Sequence, residues 1–245
     1  MKKTAIKWLG VLTVSSLLIG CQSAETKVEE NTEVKAQQAV NQPLSESEHK
    51  HSDEHGHDHS HAHDEEAEKI YAGYFEDSQV QERSLSDWEG DWQSVYPYLL
   101  DGTLDEVFEH KAEHKGDKTF EEYKAYYEVG YKTNTERIVI DGNNVTFYEN
   151  GKAYTGEYQT DGYEILNYEA GNRGVRYVFK LVEPANNVPQ YIQFSDHNIS
   201  PTKADHYHLY WGDDRESLLN EVTNWPTYFP SDMDGHTIAH EMIAH

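Results

Sequence analysis

Residues 137–181 read RIVIDGNNVTFYENGKAYTGEYQTDGYEILNYEAGNRGVRYVFKL, and this stretch decides the fold. Apolar residues alternate with polar ones in short runs, and turn residues such as Asp141-Gly142 separate the runs, which is typical of hairpins. The pattern continues toward the C-terminus, so strands are predicted at 137–140, 145–148, 154–158, 163–168, 175–181, 191–197 and 206–211. Because open sheet edges invite aggregation, we expect a mainly β fold with added helices, built on a small up-and-down antiparallel β-barrel.

Helical patterns precede the strand region. Ser86 and Glu89 match a capping box, which predicts a helix that Pro97 kinks or ends. Its apolar face is formed by Trp88, Trp92, Val95 and Leu99.

Further helices are predicted on both sides of the strands. Apolar spacing at 104–108 indicates a short helix, and Thr119 with Glu122 forms a second capping box for a helix that stops at Gly130. The inner side of that helix consists of Phe120, Tyr123 and Tyr127. A last helical run covers 216–224 and stops at the Trp-Pro pair that follows it.

The chain has 245 residues, with 20 Lys and Arg against 45 Asp and Glu, which gives a formal net charge of −25. Affinity for nucleic acid comes mainly from cationic side chains that neutralise phosphates, so this balance excludes a nucleic-acid partner and favours cations. Hydrophobic residues make up only 36% of the chain whereas aromatic residues make up 12%, which predicts a real core beside an unstructured part.

The N-terminus is typical of a secretion signal. An apolar run over 8–19 follows three lysines and is too short for a membrane-spanning helix of about 20 apolar residues. It ends in LIGC at 18–21, which resembles the bacterial lipobox, and Cys21 is the single cysteine of the chain. We predict a signal peptide over 1–20 and a lipid on Cys21 that anchors the protein at a membrane, outside the cytoplasm. A free cysteine in an uncleaved leader is the alternative.

Residues 21–69 show no apolar periodicity, so we expect a disordered acidic tether before a globular domain over 70–245. The tether carries seven histidines: His49, His51, His55, His57, His59, His61 and His63. This density of imidazoles predicts capture of divalent metal ions, with heterogeneous affinity because a flexible chain offers overlapping ligand sets. The alternative is an ordinary solvated acidic linker.

Three histidines near the last predicted strands form the strongest candidate site. His206 and His208 are two residues apart in a strand, so both side chains leave the same face, opposite a packed face of Tyr207, Leu209 and Trp211. His197 ends the preceding strand, and antiparallel pairing across 198–205 brings it beside them. Three neutral imidazoles suit Zn²⁺ and leave a fourth position for another ligand. Strand histidines without a metal are the alternative.

Other candidate ligands are weaker. Two pairs of histidines have helical spacing and are interpreted as solvated surface residues, although the second pair could form a bidentate site: His110 with His114, and His236 with His240. Asp205 and Glu241 are candidates for an additional or supporting ligand, but no spacing requires them.

Three stretches together resemble the ZinT (YodA) family of bacterial extracytoplasmic zinc-binding proteins. They are LSDWEGDWQSVYP at 85–97, FSDH at 194–197 with HYH at 206–208, and the run from LLNE to WPTY at 218–228. The resemblance covers 71–245 and is highly specific. The same type of domain also occurs fused to the C-terminus of some Gram-positive zinc-importer binding proteins, which agrees with a surface lipoprotein.

The resemblance implies a lipocalin-like (calycin) β-barrel that binds zinc, and also cadmium or other divalent transition metals, through histidines that match His197, His206 and His208. Water, an anion or a tail histidine would fill the fourth position. It further implies that the protein recruits zinc under scarcity and passes it to the substrate-binding protein of an ABC zinc importer. The lipobox and the long leader depart from the family pattern and imply membrane attachment.

Three functions fit these observations. The leading hypothesis is a binding module without catalytic groups, whose tail concentrates ions near the barrel site. A zinc-dependent hydrolase or hydratase is the alternative, because three histidines and a zinc-bound water also form catalytic sites. It is weakened because the sequence shows no identifiable general base or substrate motif beside the three histidines, although Asp196 and Glu221 can be nominated. A lipocalin for a small apolar molecule is disfavoured by histidines where an apolar lining is needed.

Overall fold

The computed structural model describes residues 61–221 and 223–244. Within these ranges, eight antiparallel strands form a closed barrel in which each strand pairs with the next and the last pairs with the first. The strands are β1 Gly90–Ser94, β2 Thr135–Asp141, β3 Asn144–Glu149, β4 Lys152–Asn167, β5 Arg173–Leu181, β6 Tyr191–Ser195, β7 Tyr207–Gly212 and β8 Thr227–Pro230. The predicted antiparallel barrel is confirmed.

In the described residues, helices are added before β1, between β1 and β2, and on either side of β8. They are α1 His61–Tyr71, α2 Tyr96–Leu100, α3 Asp105–Lys115, α4 Phe120–Tyr131, α5 Arg215–Leu219 and α6 Gly235–Ala244. Short 3₁₀ turns cover Asp77–Gln79 and Leu85–Trp88. In the described part of the chain, no helix has the length and apolar character needed to cross a membrane.

Two apolar clusters lie on opposite sides of the barrel wall. The interior cluster includes Trp88, Trp92, Tyr177, Phe194, Tyr207 and Leu209. The outer cluster packs helices against the wall and includes Val107, Phe108, Tyr123, Tyr210, Trp225 and Ile238. Because side chains alternate along β7, His208 and Tyr210 lie on the outer face, opposite Tyr207 and Leu209. The predicted separation of the two faces of this strand is confirmed.

The helix predicted from Ser86 is wrong. Ser86 lies inside the 3₁₀ turn Leu85–Trp88, no capping box forms with Glu89, and strand β1 follows at once. Trp88 in the turn and Trp92 in β1 both enter the barrel interior, which accounts for their four-residue spacing. Pro97 stands in the first turn of α2, where its missing N–H costs no hydrogen bond.

The second capping box is confirmed at the start of α4. The Glu122 amide donates to Thr119 Oγ1 at 3.2 Å, and the Thr119 amide donates to the Glu122 carboxylate at 2.8 Å. Gly130 does not stop this helix, which continues to Tyr131. A Cβ at Gly130 would lie 2.3 Å from the ring of Trp225, so glycine permits a close packing contact there. The helix predicted at 104–108 is confirmed as α3.

Several strand boundaries differ from the prediction. The runs 154–158 and 163–168 belong to one strand, β4, which has a bulge in place of the expected turn. The predicted helix over 216–224 is the short α5, and strand β8 after it was not predicted. Strand β6 ends at Ser195, so His197 lies beyond it.

The N-terminal predictions are only partly covered. The signal peptide, Cys21 and five tail histidines lie outside the described residues, these histidines being His49, His51, His55, His57 and His59. His61 and His63 lie in α1, so the prediction of a disordered tether up to residue 69 is wrong for its last part, which is helical.

Candidate metal centre

The β6–β7 hairpin carries all three predicted ligands. Ser195, the last residue of β6, pairs with His208 of β7. His197 lies two residues beyond Ser195, and His206 immediately precedes β7. The connection between the strands therefore brings His197 and His206 to the end of the hairpin where His208 lies.

The three imidazoles converge. One nitrogen from each of His197, His206 and His208 lies within 4.8 Å of the other two, and the ring centroids are 5.7 to 6.1 Å apart. Tetrahedral zinc, with Zn–N distances of about 2.0–2.1 Å, places its ligand nitrogens about 3.4 Å apart. Small side-chain rotations would bring these nitrogens onto one ion. Among the described residues, no other group of three His, Cys, Asp or Glu side chains meets the 4.8 Å distance.

Thr227 determines the tautomer of His208. Thr227 Oγ1 donates its hydrogen to the Trp225 carbonyl at 3.0 Å, so it accepts from Nδ1 of His208 at 2.8 Å. With Nδ1 protonated, Nε2 carries the lone pair. Burial lowers the pKa of His208 well below its usual value, and the two neighbouring histidines and Arg176 lower it further. His208 is therefore neutral at pH 7, as metal binding requires.

His197 has a left-handed backbone, with φ of +66°. This conformation is uncommon for a residue other than glycine and requires support from its surroundings. Asp196 supplies it, because its Oδ1 accepts from the Asn198 amide at 3.2 Å across the turn. The turn aims the His197 ring back toward the other two imidazoles.

Arg83 anchors the loop that carries His197. Its Nη1 and Nη2 donate to the two carboxylate oxygens of Asp196 at 2.7 and 2.9 Å, and Nη2 also donates to the Thr202 carbonyl at 2.8 Å. Its Nε donates to Asp87 at 2.8 Å, and the guanidinium lies 4.1 Å from the ring centroid of Trp88. Both Arg83 and Asp196 have fully buried side chains, so the loop is joined to the barrel by a desolvated ion pair.

Aromatic rings pack on two of the imidazoles. Tyr71, the last residue of α1, stacks on His197 with ring centroids 4.5 Å apart, and Phe229 of β8 stacks on His206 at 5.0 Å. Burial, with smaller contributions from two nearby aspartates, raises the pKa of Tyr71 to about 12, so its phenol stays protonated. These contacts restrict ring rotation and bring the end of α1 to the site.

A small cavity adjoins the histidines. Its volume is about 40 Å³, and its lining includes Tyr71, Phe75, Tyr168, His197, His208 and Tyr210. Sites for drug-sized ligands have volumes of about 300–1,000 Å³. The cavity has room for an ion and a few water molecules, which argues against a lipocalin-type apolar ligand.

Residues 66–245 match the protein family described as ZinT (YodA) periplasmic lipocalin-like zinc-recruitment. The chain belongs to the ZinT family. The lipocalin-like barrel predicted from the resemblance is therefore the fold of its family.

Other ZinT relatives are similar over different shares of their length. The chain is 64% identical over 245 residues to the probable metal-binding protein YrpE of Bacillus subtilis, with 98% of each chain covered. It is 52% identical over 180 residues to the zinc-binding protein AdcA of Streptococcus pyogenes serotype M3, which covers 72% of this chain and 35% of AdcA. The chain thus spans about a third of the AdcA length.

A crystal structure of the Zn(II)-bound ZinT-like domain of Streptococcus pneumoniae AdcA has the same fold. It is 47% identical to this chain, with a TM-score of 0.69, and the match covers 71% of this chain and 97% of that domain. The family is one of zinc recruitment, and the relatives are named metal-binding or zinc-binding proteins. The prediction of a metal-binding protein rather than an enzyme is confirmed.

The two carboxylates considered as catalytic bases have structural partners. Both oxygens of Asp196 accept from Arg83. Oε1 of Glu221 accepts from the backbone amides of Thr223 and Asn224 at 2.6 and 3.0 Å. Both carboxylates therefore hold loops in place.

The remaining candidate ligands do not belong to the convergent group. Asp205 directly precedes His206 but is exposed, and Glu241 is exposed as well. His110 and His114 stack on α3 with ring centroids 3.9 Å apart, and His236 is 85% exposed in its side chain beside Glu106 of α3. His240 is also exposed.

Sequence reasoning missed three residues that support the site. Tyr71 was noted only as the first residue of the family resemblance. Arg83 is 113 residues from Asp196, so no local pattern connects that ion pair. Thr227 lies within the WPTY stretch at 225–228, and that stretch was a usable signal for a residue near the site.

Proposed function

We propose that this protein is an extracytoplasmic lipoprotein that scavenges Zn(II) when zinc is scarce and passes it to the substrate-binding protein of an ABC zinc importer. His197, His206 and His208 supply three nitrogen ligands, and water, an anion or a tail histidine completes the coordination. Cd(II) is accepted by the same ligands. The observation that carries the proposal is the convergence of three imidazole nitrogens, with Nε2 of His208 as its ligand atom.

The position of α1 supports a role for the histidine-rich tail. His63 precedes Tyr71 by eight residues in this helix, which is about 12 Å at 1.5 Å per residue. Tyr71 contacts His197, and the backbone just after it is held because the Arg173 amide donates to the Gly73 carbonyl at 2.9 Å. Ions collected by the tail are thus released at high effective concentration beside the site.

The decisive experiment is a zinc titration by calorimetry on the mature chain. We expect one tight site, which is lost when His197, His206 and His208 are all changed to alanine while weak binding to the tail remains. A variant with alanine at His110, His114 and His236 removes as many histidines outside the site and should keep the tight site. Loss of tight binding in this control alone would contradict the assignment. Cd(II) titrations of the same samples test the second metal.

Membrane attachment and transfer have their own tests. Cys21→Ser should move the protein from the membrane fraction to the soluble fraction of cells, and a protein that stays with membranes would contradict the lipid anchor.

For transfer, the zinc-loaded protein is mixed with increasing amounts of the importer's metal-free binding protein. A transfer rate that rises with acceptor concentration indicates direct handover, whereas a constant rate indicates release into solution.

A further inference from the structure

Arg176 differs from the other four arginines, all of which lie in the described part of the chain. Each of the others forms an ion pair with at least one carboxylate, these being Arg83, Arg137, Arg173 and Arg215. Arg176 is only 2% exposed and forms no ion pair with a described residue. Its Nη2 donates to the Glu221 carbonyl at 3.0 Å, whereas Nε and Nη1 are buried without a hydrogen-bond partner there.

The nearby carboxylates are held by other groups. Glu164 lies directly opposite Arg176 in the β4–β5 ladder, but its carboxylate accepts from Arg215 at 2.8 Å. The Glu221 carboxylate accepts from the backbone that follows it. The guanidinium instead lies on the ring of Tyr210, 3.1 Å from the centroid. A ring face stabilises a cation but does not neutralise its charge. The buried guanidinium therefore carries its positive charge without a carboxylate hydrogen-bonded to it among the described residues.

This charge lies in the same row of the sheet as His208. Tyr177 of β5 pairs with Phe194 of β6, so the preceding residue, Arg176, lies opposite Ser195. Ser195 pairs in turn with His208 of β7. Arg176, Ser195 and His208 therefore form one row across the three strands. Adjacent strands are about 4.8 Å apart, which places the backbones of Arg176 and His208 about 10 Å apart. Tyr177 and Leu209, the next residues along β5 and β7, belong to the barrel interior. Because side chains alternate along a strand, those of Arg176 and His208 lie on the outer face.

A fixed positive charge on the ring of Tyr210, two residues from His208 on the same face of β7, opposes a divalent cation bound at the histidines. The interaction takes place inside the protein, where the effective dielectric constant is far below that of water, and an ion with two charges is repelled twice as strongly as a monovalent one. A protein that transfers its metal ion to another protein needs a site from which the ion can dissociate.

We propose that Arg176 limits the zinc affinity of the His197–His206–His208 site and speeds release of the ion. The proposal rests on the proposed function, because it takes these three histidines as the zinc ligands. The buried guanidinium repels the bound cation without touching it, so Arg176 is an affinity-setting residue and not a ligand.

The test compares Arg176→Met and Arg176→Gln with the wild-type mature protein. Zinc Kd is measured by competition with a chromophoric chelator, and the dissociation rate by transfer of zinc to excess chelator. We expect both variants to bind zinc roughly tenfold to a hundredfold more tightly, with slower dissociation. The gain should persist between about 50 and 500 mM NaCl, because buried charges are screened little by salt.

Arg137→Met is the matched control. It removes the same charge from the molecule, but Arg137 is exposed and paired with Asp91 on β1, so its Kd for zinc should stay within about twofold of wild type.

The direction of the change in zinc affinity separates an effect of the Arg176 charge from an effect of its packing. If Arg176 only supported packing, its loss would loosen the site and weaken zinc binding. Unchanged or weaker binding in a folded variant would overturn the inference, as would failure of both variants to fold, which would assign Arg176 a purely structural role. If the wild-type protein itself bound no zinc at the three histidines, the proposed function would fail first.

Discussion

Arg83 binds both oxygens of Asp196 and the carbonyl of Thr202, and so joins two points of the loop that connects β6 to β7. His197 lies between those points on a left-handed backbone that isolated chains rarely adopt. The geometry of the metal centre therefore depends on a residue that contributes no ligand atom. Arg176 and Thr227 also act at this scale, the first through charge and the second through the tautomer of His208.

The contribution of Arg83 is open to a direct test. Arg83→Met leaves the Asp196 carboxylate buried without its partner, so the free energy of unfolding should fall by about 3–5 kcal/mol and zinc affinity should fall with it. Urea denaturation and zinc titration measure the two effects. Adding Asp196→Asn removes the unpaired charge and should restore part of the stability. The exposed pair of Arg137 with Asp91 is the control, and its loss should cost less than about 1 kcal/mol.

Among the elements, the β6–β7 hairpin positions His197, His206 and His208. The helices pack against the outer face of the barrel wall. In helix α3 this packing partly buries a lysine, which is energetically unfavourable. Lys111 is half-buried beside the ring of Tyr127, with its Nζ 5.8 Å from the ring centroid. Burial, with a smaller contribution from Lys115, lowers the pKa of Lys111 from 10.5 to about 8. The charged form is therefore less favourable in the folded chain than in the unfolded chain.

This shift predicts a pH-dependent stability. Above about pH 10.5 Lys111 is neutral in both states and costs nothing, but stability is lost as pH falls toward 8, because the unfolded chain binds the proton more readily. Lys111→Met should raise the free energy of unfolding at pH 7 by about 1–2 kcal/mol after allowance for solvent screening. The gain should disappear near pH 11. Denaturation curves at both pH values check it, with the exposed Lys152→Met as control. An equal gain at both pH values would attribute the effect to packing.

At the scale of the whole molecule, the proposed function assigns different roles to two sets of histidines, the three in the barrel and the seven between residues 49 and 63. The three barrel imidazoles already converge in the folded chain, so their arrangement around an ion would cost little conformational entropy. A chain segment without such preorganisation loses entropy when it surrounds an ion. Tight binding is therefore expected of the barrel and capacity of the tail.

Deletion of residues 49–63 from the mature chain tests this division. The number of zinc ions bound at saturation should fall, while one tight site remains with a Kd within about threefold of the intact protein. Calorimetry resolves both quantities, and an equal-length replacement of this segment by Gly and Ser keeps the tether length as a control. Disappearance of all binding on deletion would show that the three barrel histidines are wrongly assigned.

The sequence by itself determined most of the β-meander, the capping box at Thr119 and the shared face of His206 and His208. These features depend on side-chain alternation and turn chemistry, which act over a few residues. Only the tertiary structure decided that β1 and β8 close the barrel, that Trp92 enters it from a strand, and that Arg83 holds the ligand loop. Such contacts join residues that are far apart in the chain: Arg83 and Asp196 are 113 positions apart, and Gln93 of β1 is 137 positions from Pro230 of β8. Their energy comes from packing and desolvation in the assembled barrel, which leave no local pattern in the chain.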